Sequence, residues 1–91
     1  MNDVYRALSD PTRRRILGLL RRGDMTAGEL AGSFELAWPT ISGHLRVLRE
    51  ADLVHADRQG TSIIYHLNVS VLEEALASLM SALGIGAKEA S

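Results

Sequence analysis

The stretch "WPTISGHLRVLRE", Trp38 to Glu50, decides how the chain is read. At about 100° per residue, Ile41, Leu45 and Leu48 fall within one narrow arc, the pattern of a helix that buries a single stripe. Pro39, Gly43, Arg46 and Glu50 stand opposite, Thr40 and Ser42 flank them, and Trp38 and His44 fall at the edges of the apolar arc. A solvated helix face usually carries Lys, Glu and Gln; this one is small and hydroxyl-bearing. Such a helix suits a DNA major groove, which is about 12 Å wide and takes one helix when the contacting side chains are slim. Thr and Ser hydroxyls reach base edges or phosphates, and an outward Arg46 can pair with guanine or hold the backbone. The helix N-terminus adds partial positive charge and free N–H groups. Gly43 costs a helix about 1 kcal/mol relative to Ala. Close approach to nucleic acid would explain that cost; the plainer reading is a neutral substitution on a solvated face.

Working outward, Asn2 to Leu8 is a short amphipathic helix with Val4, Tyr5 and Leu8 on one face. In "SDPTRRRILGLLRRGDM", Asp10 before Pro11 starts a helix, Ile16, Leu17, Leu19 and Leu20 form its buried stripe, and Gly23 stops it after Arg21 and Arg22. "TAGEL" opens another helix with a capping box, Thr26 with Glu29, and "GSFEL" is a turn. In "LVHADRQGTSIIYHLN" the period changes to that of strands, around a polar tip Arg58-Gln59-Gly60-Thr61. Arg58 there could enter a minor groove or simply face water. Asn68 or Ser70 then caps a last helix carrying Leu72, Leu76, Leu79, Met80 and Leu83, ended by Gly84 and Gly86. The expected architecture is mainly α with one small β-hairpin, in the order helix, helix, helix–turn–helix, hairpin, helix, as a single domain over residues 1–91. The helix–turn–helix spans about 26–50, the hairpin about 53–67, and the terminal helices about 2–8 and 69–84.

The segments "ALSDPTRRRILGLL", "GELAGSFELAWPTISGHLRVLREADLV" and "DRQGTSIIYHLN", in this order and over nearly the whole chain, resemble the ArsR/SmtB-type bacterial winged helix–turn–helix repressors. Within that family the chain looks most like the short SdpR-like autorepressors. The resemblance implies a symmetric homodimer, its first and last helices paired across the two-fold axis, with recognition helices in successive major grooves of double-stranded DNA and wings beside them. The candidate DNA-contacting residues are Trp38, Pro39, Thr40, Ser42, Gly43, His44 and Arg46 on the helix, with Arg58, Gln59 and Thr61 at the wing. The candidate dimer surface is Val4, Tyr5 and Leu8 with Leu72, Leu76, Leu79, Met80 and Leu83. The chain departs from the family pattern at Trp38, where Gln or Lys is common, at Gly43, where His is common, and at Ala37, where a capping hydroxyl is common. Base contacts made by those side chains do not carry over. Family members that sense metals use cysteines at about residues 27–31 or Asp and His on the last helix. This chain has no cysteine, and no Asp or His from Val69 to Leu83, so neither metal route is expected and no cofactor is implied. Release from DNA through a protein or membrane-protein partner is what the SdpR-like resemblance suggests.

The remaining composition narrows the function. The 91 residues carry 46% apolar and 23% charged side chains with net charge −1, so any anion-binding surface must be local. Nine arginines (Arg6, Arg13, Arg14, Arg15, Arg21, Arg22, Arg46, Arg49, Arg58) precede residue 60. The Arg13–Arg15 run reads as a solvated face from which one side chain could reach phosphate. Absence of cysteine fits a reducing cytoplasm, and no apolar run approaches the roughly 18 residues of a membrane span. His44, His55 and His66 are too far apart for one helical turn, so satisfied or solvated histidine is the default reading. No nucleophile–base pair or phosphate loop stands out, which argues against an enzyme. A winged-helix module that binds only protein is the competing class, supported by the near-neutral charge. The apolar stripe of the last helix exceeds what so small a core needs and points to an interface.

Overall fold

The computed structural model describes residues 2–86. Helices α1 (Asn2–Leu8), α2 (Pro11–Arg22), α3 (Ala27–Gly32) and α4 (Trp38–Glu50) are followed by strands β2 (Val54–Gln59) and β3 (Ser62–Leu67) and helix α5 (Val69–Ala82). A two-residue strand β1, Met25–Thr26, lies between α2 and α3. It was not expected from the sequence. It pairs antiparallel with β3, Met25 opposite Tyr65 and Thr26 opposite Ile64, so the hairpin is the larger part of a three-stranded sheet ordered β1-β3-β2.

Each element starts and stops for a visible chemical reason. Asp10 caps α2 by accepting the Arg13 N–H at 3.0 Å, and Pro11 supplies the fixed φ of a first turn. The capping box of α3 is formed as expected: Glu29 N–H donates to Thr26 Oγ1 (3.1 Å) and Thr26 N–H to Glu29 Oε1 (2.8 Å). Helix α4 ends in a Schellman turn, Leu53 N–H to Leu48 O and Asp52 N–H to Arg49 O, which places Asp52 at φ +60 and turns Leu53 into the core. The β2–β3 loop is the pair Gly60-Thr61, with Gly60 at φ +64 as the first residue of a two-residue hairpin requires. Asn68 rather than Ser70 caps α5, and a second Schellman turn, Ile85 N–H to Met80 O and Gly84 N–H to Ser81 O, ends it at Gly84, φ +73.

The core joins Ile16, Leu17 and Leu20 of α2 to Leu30 of α3, the Ile41, Leu45 and Leu48 stripe of α4, and Leu53, Val54 and Tyr65 beside the sheet. Three placements add to or qualify the sequence reading. Phe34, in the turn before α4, is buried, and the Arg15 guanidinium lies 4.6 Å from its ring centre. Val4 belongs to the protomer's own core with Ala7, because α1 packs on α2 and α4, so of its expected apolar face only Tyr5 and Leu8 keep partial exposure. Arg14 and Arg15 of the Arg13–Arg15 run are exposed, as a solvated face requires, and Arg13 is half-buried, yet the run is bonded within the fold. Arg13 donates to the Ala7 and Arg6 carbonyls (2.8 and 2.9 Å) and Arg14 to that of Leu8 (2.8 Å), which closes the carbonyl end of α1.

Asp52 carries the only positive φ of a non-glycine among the described residues. Asp52→Gly is expected to raise unfolding stability by about 0.5–1 kcal/mol, since the left-handed conformation costs a β-carbon-bearing residue about that much or more. Chemical denaturation reads it; an unchanged or lower midpoint would mean that the Asp52 side chain stabilises the turn.

Candidate nucleic-acid interface

Helix α4 presents two chemically different sides. Ile41, Leu45 and Leu48 are sealed, while Pro39, Thr40, Ser42 and Arg46 are exposed. The side chains of Thr40, Ser42 and Arg46 make no hydrogen bond or ion pair among the described residues. Ala37 is the N-cap and has no side chain to bond the first-turn N–H groups; Thr40 and Ile41 N–H both turn to the Ala37 carbonyl (3.0 and 3.2 Å). Trp38 is 45% exposed, so its ring is part packed and part open, and Leu36 beside it is similarly exposed. A β-carbon added at Gly43 would meet open space. Nothing within the protomer therefore requires glycine there.

His44 differs from its neighbours. It turns toward α2, with Nδ1 3.2 Å from an Arg13 guanidinium nitrogen and 3.9 Å from Asp10 Oδ2. Arginine only donates, so Nδ1 accepts and the ring proton of neutral His44 sits on Nε2. The Arg13 N–H holds the Asp10 carboxyl below the usual carboxylate value, against burial, which works the other way.

The wing places Arg58 differently from the sequence reading. Arg58 lies within β2, opposite Ile63, and only Gly60 and Thr61 form the tip. By strand alternation Arg58 shares the face of Val54 and Ala56, which continues the core, and it emerges where that face runs past the body. Gln59 and Thr61 are exposed at the end of the hairpin.

The other face of the wing carries a charge cluster that sequence spacing did not reveal. His66 Nδ1 is 2.8 Å from Asp24 Oδ2, and its Nε2 is 2.7 Å from Asp57 Oδ2. Nε2 is otherwise shut off from solvent, and Asp57 lies off its N–H direction, so the second contact is mainly charge attraction. The hydrogen bond to Asp24 is the main reason the His66 pKa is raised, with the Asp24 and Asp57 charges adding and burial opposing. His55, directly across the ladder from His66, bonds Asn68 instead: Asn68 Nδ2 donates to His55 Nε2 at 3.2 Å. The three histidines thus have three separate environments. Among the described residues no group of three or more His, Cys, Asp or Glu is arranged to hold a metal ion.

Because the folded-state pKa of His66 is raised, its tie is fully stabilising below about pH 6.5, the unfolded value, and fades as pH rises through the folded value. His66→Gln is therefore expected to lower the urea midpoint more at about pH 6 than at about pH 9. A gap between variant and parent that is equal at both values, or larger at the alkaline one, would show that His66 is not charged in the fold. Both carboxylates are more than half exposed, so the effect is screened and small.

Known proteins share this architecture. Residues 10–56 match the family described as bacterial regulatory protein, arsR family. The chain is 44% identical to the transcriptional repressor SdpR of Bacillus subtilis (strain 168), over 94% of this chain and 96% of that protein. It is 34% identical to the arsenical resistance operon repressor of Staphylococcus xylosus, over 80% of this chain and 70% of the other. The fold superposes on the crystal structure of an ArsR family transcriptional regulator with TM-score 0.83 and 31% identity, covering 91% of each chain. The two-faced helix, the wing after it and these matches have one reading: the chain belongs to the arsR family of bacterial regulatory proteins.

Proposed function

We propose that this protein is a transcriptional repressor that binds an inverted-repeat operator as a homodimer, with α4 in the major groove. One observation carries the reading. The buried stripe of α4 is complete, yet Thr40, Ser42 and Arg46 on its other side are exposed and have no partner among the described residues. A helix face so small and so polar needs a ligand with matching edges, and duplex DNA supplies them. Thr40 and Ser42 reach base edges or phosphate, Arg46 pairs with guanine or grips the backbone, and Trp38 and Pro39 line the entry. The open space beside Gly43 lets the helix approach closely. Arg58, with Gln59 and Thr61, meets the neighbouring groove. SdpR and the arsenical resistance repressors are named as repressors, which favours DNA over a purely protein-binding role for the same fold.

The dimer rests on α5. Ala75 is its one fully buried residue, while Leu76, Leu79, Met80 and Leu83 are exposed, with Ile85 beyond them. Leu72, Leu76, Leu79 and Leu83 repeat at intervals of four, three and four, the seam of a helix that packs lengthwise on another helix. Tyr5 and Leu8 extend the same surface from α1. Two α4 helices about 34 Å apart would then address one face of the duplex.

The test is fluorescence anisotropy with duplex DNA from upstream of the protein's own gene, titrated over a range of salt. Saturable, competitor-resistant binding is expected. Arg46→Ala and Arg58→Ala should each shrink the salt slope by about 0.9 per subunit for every phosphate the arginine neutralises. Unchanged slopes together with unchanged affinity would remove these residues from the interface, and flat titrations with every duplex would remove DNA. In sedimentation, Leu79→Glu is expected to convert a dimer into a folded monomer that binds DNA at least tenfold more weakly, about 1.4 kcal/mol. A variant that still sediments as a dimer would rule out the α5 seam.

A further inference from the structure

Arg13 joins elements that the proposed function gives different tasks. Its Nε and one terminal nitrogen donate to Ala7 O and Arg6 O at the carbonyl end of α1, Arg6 O being shared with Ser9, and its other terminal nitrogen donates to His44 Nδ1 on α4. Its own backbone is pinned by Asp10, which accepts the Arg13 N–H. The guanidinium is a rigid planar fork, so these three bonds fix directions as well as distances. The packing of α4 on the core is of another kind. Ile41, Leu45 and Leu48 set how deep the helix sits, but apolar packing is non-directional and by itself tolerates small rotations. His44 lies in the middle of α4, on the turn that also carries Ser42, Gly43 and Arg46.

We infer that Arg13 and His44 are positioning residues that set the angle of the recognition helix against α1, and through it the separation of the two recognition helices in the dimer. This rests on the dimeric DNA-binding reading above and adds which bonds determine half-site spacing. An error of a few degrees in α4, harmless to one half-site, is doubled in a two-fold dimer that must place both helices on one duplex. His44 on this view is not a base reader: the atom that faces α2 is occupied, and its work is to receive Arg13.

The experiment starts from an operator selected by the parent protein from random duplexes. Affinity is then measured for that operator, for its single half-site, and for a series with one or two base pairs added or removed between half-sites. The variants are His44→Leu, which leaves the Arg13 bonds to α1 in place, and Arg13→Lys, which cannot make all three bonds at once. The parent should lose about tenfold or more for a one-base-pair change in spacing. Both variants should bind the correctly spaced operator several-fold more weakly, bind the half-site like the parent, and show a much flatter dependence on spacing. The double variant should be no flatter than the flatter single one, since both remove the same tie. Weaker binding to every duplex with the parent's spacing ratio preserved would overturn the proposal alone, because reduced stability, or removal of a direct bond to DNA, acts uniformly. A parent that selects no duplex would overturn it together with the reading beneath it. If Arg13→Lys melts at the assay temperature, His44→Leu decides, since α1 stays closed in that variant.

Discussion

Helix α4 is held from one side only, and the rest of the molecule is arranged around that asymmetry. Its stripe of Ile41, Leu45 and Leu48 is almost wholly withdrawn from water, and three full side-chain burials stabilise the docked helix by several kcal/mol, at about 1.5–3 kcal/mol each. The opposite face contributes nothing to the fold and is free to be shaped by what it touches. Its ends are handled unequally for the same reason. The C-terminus is closed by a full Schellman turn that buries Leu53, whereas the N-terminus, at Ala37, is left without a side-chain cap. A missing cap costs a helix about 1 kcal/mol, and here, with Thr40 and Ile41 N–H bonded to Ala37 O and no N–H on Pro39, it leaves the Trp38 N–H unmet by the fold at the end that points at the proposed ligand. Stability is supplied where the helix meets the body and withheld at the end that the proposed function turns to DNA.

The charge distribution follows a related division. Net charge is −1, so the protein as a whole has no attraction to a polyanion. Among the arginines, three are already engaged: Arg13 and Arg14 close α1, and Arg15 covers Phe34. Arg46 and Arg58 are the ones on the proposed interface, on the recognition helix and on the wing. Binding built from so few cations depends on their placement and on the hydroxyl and apolar groups between them, which favours recognition by geometry over general adhesion to DNA.

The sequence made legible whatever depends on neighbours close in the chain. The α4 stripe, the Asp10-Pro11 start and the Thr26–Glu29 box are all local patterns, and each took its expected form. What escaped depends on partners far along the chain. Strand β1 is two residues long and exists because the free edge of β3 accepts it, so no period could announce it. The Arg13–Arg15 run looks like any exposed basic run until α1 folds back and offers its carbonyls. Phe34 sits in a polar turn and is buried by the chain around it, Arg15 included. Val4 shares a helical face with Tyr5 and Leu8, yet α1 is narrow enough for α2 and α4 to claim one residue of that face and leave the others half exposed. At the wing, Arg58 sits in β2 because the antiparallel register runs to Gln59 opposite Ser62, which shortens the loop to two residues. Of the three histidines only the eleven-residue spacing was visible; their partners Arg13, Asn68, Asp24 and Asp57 were not.

The terminal helix brings these lines together. A chain of this size buries only about 60–65% of its unfolded surface, so its core is thin. Yet α5 contributes little more than Ala75 to that core, with Val71 and Leu72 partly covered, and carries the seam of Leu76, Leu79 and Leu83 into solvent. The fold is correspondingly elongated, 51 Å along its longest axis against 23 and 20 Å across. A helix that served only its own protomer would place those leucines inward, because each, left 38–63% exposed, forgoes roughly half of the about 1.5–3 kcal/mol that full burial supplies. Turned outward, they would return that energy in the proposed dimer, where a second copy covers them, so that dimerisation would add to the protomer's own stability as well as set operator geometry. The same packing would fix α1 near the two-fold axis. From there the bonds of Arg13 run to His44 and α4, so that one side chain links the proposed dimer surface to the proposed DNA-reading helix.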